Sequence, residues 1–182
     1  MKKRKVKFNY EKLRPLDMVV CAGKSPFAVV TRIVTAGRRR AFDYDVSVHT
    51  GILVDFHGQL LVAEMTAQGL QINSLEKYNT VGGRRWVIAV RRHRAFDDTG
   101  LMEETQETIA RDRRKTIEYD YKGLLEFVSK RVKDNKKRYY CSEYVYHATK
   151  FAGVKYPTDF ADMVSPFDLQ HCPEWHGVEF EA

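Results

Sequence analysis

Alternating and uniformly apolar runs dominate the first half of the chain, and helical spacing dominates the second. Leu16–Cys21 (LDMVVC) is almost wholly apolar, which predicts a short buried strand. Ser25-Pro26 then opens a helix, with Ser as the cap and Pro at the first helical position. Phe27, Val30, Ile33 and Val34 follow at helical spacing, and Gly37 ends the element. Gly37–Asp45 is a basic loop containing Arg38, Arg39 and Arg40. Val46–Asp55 (VSVHTGILVD) alternates, with Val46, Val48, Ile52 and Val54 on one face. Phe56–Gln59 (FHGQ) is a turn, and Leu60–Thr66 (LLVAEMT) is the returning strand. Arg85–Val90 (RWVIAV), preceded by Gly82-Gly83, is a further strand.

Helical patterns follow. Leu101–Lys115 is polar and weakly patterned; Tyr121–Val132 places Leu124, Leu125, Val128 and Val132 on one stripe. Tyr140–Ala152 (YCSEYVYHATKFA) is another helix, ended by Gly153. From Val154 the chain, with Pro157, Pro166 and Pro173, reads mostly as loop. No break marks a second domain, so residues 1–182 are expected to form one domain, with a solvated basic tail over residues 1–12. A helix, then antiparallel strands, then helices is an α+β order.

Composition narrows the class. With 182 residues and 43% apolar, the chain can bury a core. Lys and Arg number 31 against 24 Asp and Glu, a net charge of +7, which favours anionic partners such as nucleic acid, lipid head groups or cell-wall polymers. Three Cys do not make a disulfide scaffold. Met1–Lys7 is charged like the start of a signal peptide, but Phe8–Arg14 supplies no apolar stretch after it. No run approaches the roughly 18 apolar residues of a membrane span. The expectation is a soluble protein of a reducing, cytoplasmic compartment.

Cys141 is the most informative thiol. It falls in the first turn of its helix, where unpaired N–H groups favour a thiolate. A lone cysteine is more often a small core side chain, so a base must be found. His147, six residues on, lies about 240° around the helix and points away. His49 lies on the face of its strand opposite the Val and Ile stripe, and Gly51 beside it leaves room for a partner or substrate. Glu64 interrupts the apolar strand LLVAEM, where a carboxylate is costly unless paired. With Phe56-His57 central in the turn, His49 stands directly opposite Glu64. With His57-Gly58 central, Glu64 is a diagonal neighbour on the same face. Either register lets Glu64 orient His49.

The segments VSVHTGILV, LLVAEMTAQGLQINSL and RYYCSEYVYHA resemble the permuted NlpC-type, papain-like cysteine hydrolases, the YiiX-like group. The strand with His, the hairpin partner with Glu and the helix opening Cys-Ser-Glu occur in the family's order. LRPLDMVV resembles the family's opening, with Leu16 where Gly is usual. Val48 separates Ser47 from His49, Met65 follows Glu64 where Ala is usual, and Leu70 follows Gly69 where Val is usual. Tyr119-Asp120-Tyr121 and Ser165–Leu169 resemble further landmarks.

The resemblance implies an antiparallel sheet packed against the nucleophile helix and a Cys141–His49–Glu64 triad acting through a thioester. It implies a cell-wall-type peptide amide or, through relatives of the lecithin:retinol acyltransferase type, a lipid ester or amide as substrate. No cofactor or metal is required by that chemistry. The rival expectation is a catalytically silent basic module binding anionic lipid or nucleic acid through Arg84-Arg85, Arg91–Arg94 and Arg111–Lys115. No nucleic-acid motif accompanies these groups. His171, Cys172 and His176 cluster without a metal-binding pattern. Cys21 reads as core, and Glu143 as compensating its helix dipole.

Overall fold

Strands β3 (His49–Phe56) and β4 (Gln59–Thr66) are joined by only two residues, His57 and Gly58, with φ of 54° and 79°. Positive φ at both central positions matches the right-handed twist of the flanking strands. This turn selects the second of the two expected registers: Ile52 pairs with Ala63 and Phe56 with Gln59. The computed structural model describes residues 3–115, 117–119, 138–156 and 164–182. The expected helix Tyr121–Val132 and the Tyr119-Asp120-Tyr121 landmark, beyond Tyr119 itself, lie outside them.

Around the hairpin stand β2 (Met18–Gly23), β5 (Gly69–Ser74), β7 (Arg85–His93) and β10 (Trp175–Val178). They form a six-stranded antiparallel sheet in the order β10-β7-β2-β3-β4-β5. Smaller pairs join β1 (Arg4–Lys5) to β6 (Thr80–Val81) and β8 (Glu118–Tyr119) to β9 (Arg138–Tyr139). The helices are α1 (Pro26–Ala36), α2 (Thr99–Arg113), α3 (Cys141–Phe151) and α4 (Pro166–His171). The architecture is α+β, as the order of patterns implied.

Both sheet faces are covered, which is why its central strands read as apolar runs. Met18, Val20, Ile52, Val54, Ala63 and Met65 pack under Tyr144, Val145 and Ala148 of α3 and Ile109 of α2. Val19, Cys21, Leu53, Val62 and Val87 are covered by Val6, Phe8, Leu13, Leu75 and Tyr78. The expected N-terminal tail is therefore not a solvated arm. Val6 and Phe8 are buried, the Val6 N–H donates to the Asn79 carbonyl at 2.7 Å, and β1 is a strand. A basic sequence with apolar residues at alternate positions forms an edge strand once a groove accepts them.

Two other expectations change. The region after Val154 is not mostly loop: Ser165 caps α4 through Asp168 N–H at 3.1 Å, and β10 extends the sheet beside β7. Strand β3 begins at His49 and not at Val46, although Val46 and Val48 are buried. In α1 the apolar stripe faces outward, with Phe27 and Val30 exposed and Thr31 and Arg32 inside. Leu16, where the resembled family has Gly, adopts φ 69°, a backbone region suited to glycine. It is held there by full burial and by its N–H to the Leu53 carbonyl at 2.7 Å.

Candidate functional site

His49 is the first residue of β3, Glu64 lies on β4, and Cys141 is the first residue of α3. In the observed register Gly51 extends the ladder opposite Glu64, so His49 is the carboxylate's diagonal neighbour on the same face. The His49 Nε2 to Glu64 Oε2 distance is 2.5 Å. The other ring nitrogen is left for Cys141, which lies near enough to the imidazole for each to shift the other's pKa. The three expected residues are thus brought together, with Cys141 and His49 each 4% exposed and Glu64 fully buried.

Glu64 is the most heavily solvated-by-protein group of the site. Besides His49, Oε2 accepts from Arg85 Nη1 at 3.1 Å. Oε1 accepts from Asn73 Nδ2 at 2.7 Å, Lys77 Nζ at 3.1 Å and the Tyr78 hydroxyl. Burial works against its charge, but the hydrogen bond and charge of His49, the Tyr78 hydroxyl and Arg85 hold the carboxyl well below the usual range. Lys77, Asn73 and Tyr78 were not singled out in the sequence. They arrive because β5 and the short turn of helix Leu75–Tyr78 curl back over β4. Arg85, expected in a basic anion-binding surface, turns its guanidinium onto Glu64 instead.

Burial is the largest influence on His49 and disfavours the imidazolium, as does Arg85. The Cys141 thiolate and Glu64 outweigh both, and its pKa is raised. Cys141 shows the complementary balance. Burial raises its pKa, but the charge and hydrogen bond of His49, the Thr50 backbone N–H and Arg85 bring the net shift downward. The pair is therefore poised toward thiolate and imidazolium. Cys21 is pushed far up by burial, and Cys172 is raised for the same reason. Only one of the three thiols is biased toward its nucleophilic form.

Of the two occupants expected beside Gly51, a partner or a substrate, the structure shows the partner. A Cβ there would stand 2.6 Å from Val62 Cγ1 and 3.3 Å from Glu64 Cβ. The space beside His49 is filled by β4, which brings Glu64 close, and does not admit a substrate. His49 is correspondingly buried. Glu143 Oε2 accepts from the Tyr140 N–H at 3.3 Å, bracing the entry to α3. His147 stacks on Tyr139 at 4.6 Å, away from Cys141.

Elsewhere, the Arg91–Arg94 group is only partly solvated. Arg92 clamps Asp17 at 2.7 and 2.8 Å, and Arg91 Nε donates to the Trp175 carbonyl at 2.9 Å. Among the described residues no group of three or more His, Cys, Asp or Glu is arranged to hold a metal ion. His171 Nδ1 bonds to the Phe167 carbonyl and Cys172 is buried. No described helix is long and apolar enough to cross a membrane.

No protein-family model matches the chain, and no curated protein matches it. Among solved structures it is similar to the crystal structure of metalloprotein yiiX from Escherichia coli O157:H7. The TM-score is 0.68 at 17% identity, covering 93% of this chain and 98% of that one. The likeness is one of fold: the chain has a YiiX-like α+β architecture. The word metalloprotein belongs to that neighbour. Here both Glu64 oxygens and His49 Nε2 are engaged with protein partners, so the three site residues do not fit a metal cage.

Proposed function

We propose that this protein is a papain-like cysteine hydrolase or acyl transferase of the permuted NlpC type. The observation that carries the reading is the buried Cys141–His49–Glu64 line at the start of α3, with Cys141 alone among the thiols shifted downward. His49 takes the Cys141 proton, and Glu64 holds the imidazole tautomer and balances the imidazolium. The sulfur attacks a carbonyl carbon; a C–S bond forms and the carbonyl π pair moves to oxygen. The Cys141 backbone N–H, at the helix start, faces the developing oxyanion. Collapse expels an amine or alcohol, which leaves with the proton from His49, and a thioester remains. Water, deprotonated by His49, then releases the acid; an amine or alcohol acceptor completes transfer instead.

The substrate classes are an amide in a cell-wall-type peptide or an ester or amide in a lipid. The experiment is intact-mass analysis after incubation with peptide and lipid mixtures. An acyl mass gained on Cys141, absent from Cys141→Ala and chased by hydroxylamine, supports the reading. Turnover that persists in Cys141→Ala overturns it.

A further inference from the structure

Helix α1 is inside out with respect to its own sequence. Phe27 and Val30 are 46% and 52% exposed, and Ile33 and Val34 are half-buried, while Thr31 and Arg32 are buried. At 100° per residue Arg32 stands about 200° around the axis from Val30, so these are opposite faces. Turning the helix over would bury two apolar side chains and return a guanidinium to water, favourable on both counts. The opposite orientation is pinned. Arg32 donates to the Gly23 carbonyl at 2.5 Å and the Ala41 carbonyl at 3.3 Å, and its guanidinium lies over the Tyr44 ring.

The segment that carries the stripe is basic, although Asp43 and the exposed Asp45 follow directly after Phe42 and Asp168 is exposed on the neighbouring helix α4. From Lys24 to Phe42 the sequence has Lys24, Arg32, Arg38, Arg39 and Arg40 and no Asp or Glu. Lys24 and the three consecutive arginines are exposed, and Phe42 beyond them is 74% exposed. The helix sits at the end of the sheet that carries His49. A Cβ on Gly23 would touch Val48 and Ala28, and Cys21 pairs with His49.

We propose that α1 and the segment to Phe42 form a docking surface for an anionic lipid bilayer. Phe27, Val30 and Phe42 enter the boundary between head groups and acyl chains, and Lys24, Arg38 and Arg39 meet lipid phosphates. An apolar stripe flanked by an excess of cations is the composition of an interfacial helix. A second copy of the chain on a twofold axis would bring two arginine clusters together. Nucleic acid would use the cations but leave Val30 and Val34 in water. Docking does not depend on the triad. Joined to the proposed chemistry, on which this consequence rests, it favours a lipid ester or amide as the substrate.

The test is co-sedimentation of the full chain with vesicles of phosphatidylcholine alone or with about 30% phosphatidylglycerol, at ~0.1 and ~0.5 M salt. The expected result is binding to the anionic vesicles that weakens at high salt. Phe27→Ser/Val30→Ser lowers partitioning at least tenfold by order of magnitude, roughly what two exposed apolar groups supply. Arg38→Gln/Arg39→Gln lowers it by about fivefold per cation. All four positions are exposed, so both variants retain the wild-type melting temperature. Cys141→Ala binds as wild type does, so loss of acyl-enzyme formation with docking intact counts against the proposed chemistry alone. Absence of anionic-vesicle binding overturns the docking proposal. So does binding that ignores the Phe27/Val30 change, which marks charge alone, or a dimer in sedimentation velocity that this change dissolves.

Discussion

Five donors converge on the two oxygens of Glu64, and the arrangement separates its charge from that of an ordinary strand carboxylate. Its folded pKa is depressed, so it adds stability above the unfolded value of about 4.3, and that stability is lost as pH falls below it. Urea unfolding between pH 7 and pH 3 is therefore expected to show wild type losing roughly 2 kcal/mol more than Glu64→Gln. Equal losses would remove the carboxylate from the account. At Cys141 the consequence is reactivity. Its pKa is lowered by His49 and the Thr50 N–H while those of Cys21 and Cys172 are raised by burial. Iodoacetamide at pH 6 should label Cys141 first, and His49→Ala should move that reactivity to higher pH. Peptide mapping after a short pulse reads both; labelling led by Cys172, or an unmoved profile in His49→Ala, contradicts the assignment.

At the scale of elements, the β3–β4 hairpin is the device that makes the site. The left-handed His57-Gly58 pair sets the register, and Asp55 Oδ1 accepts from the Gly58 N–H at 2.8 Å to hold the turn. Gly51 then lets β4 approach closely enough for Glu64 to reach His49. Gly51→Ala forces a Cβ into Val62 and the Ala63 carbonyl, an overpacking that costs about 1–3 kcal/mol. The accompanying displacement of Glu64 should raise the Cys141 pKa, because the imidazolium loses its counter-charge. Thiol titration by alkylation rate, beside a melting curve, checks both effects. A variant that is destabilised while keeping the wild-type thiol profile would mean that Gly51 matters for packing only.

For the molecule as a whole, the N-terminal segment belongs to the fold and supports the site from outside. Val6 and Phe8 cover the sheet face that carries Cys21 and Leu53, in the cluster that also holds Tyr78, a donor to Glu64. Removing residues 1–8 exposes that cluster and removes two buried apolar side chains, each worth about 1.5–3 kcal/mol. Chemical unfolding of the truncated chain should show a loss of roughly 3–6 kcal/mol. A loss below about 0.5 kcal/mol, the level of a surface change, would restore the solvated-tail reading.

Short-range patterns in the sequence determined β2, β3, β4, β7 and the start of α3, because periodicity, turn residues and caps are encoded among neighbours. The juxtaposition of His49 and Glu64 was legible for the same reason, since both admissible hairpin registers keep them on one face. The choice between those registers, the docking of Val6 and Phe8, and strand β10 depended on partners far along the chain. So did the convergence of Asn73, Lys77, Tyr78 and Arg85 on one carboxylate. Helix α1 shows the reason most plainly. Its spacing specifies a stripe of Phe27, Val30 and Val34, but periodicity carries no sign, and nothing local says which side of a stripe meets the sheet. The carbonyls of Gly23 and Ala41 and the ring of Tyr44 decide it by holding Arg32 inward. Only the folded chain brings those three groups to one place.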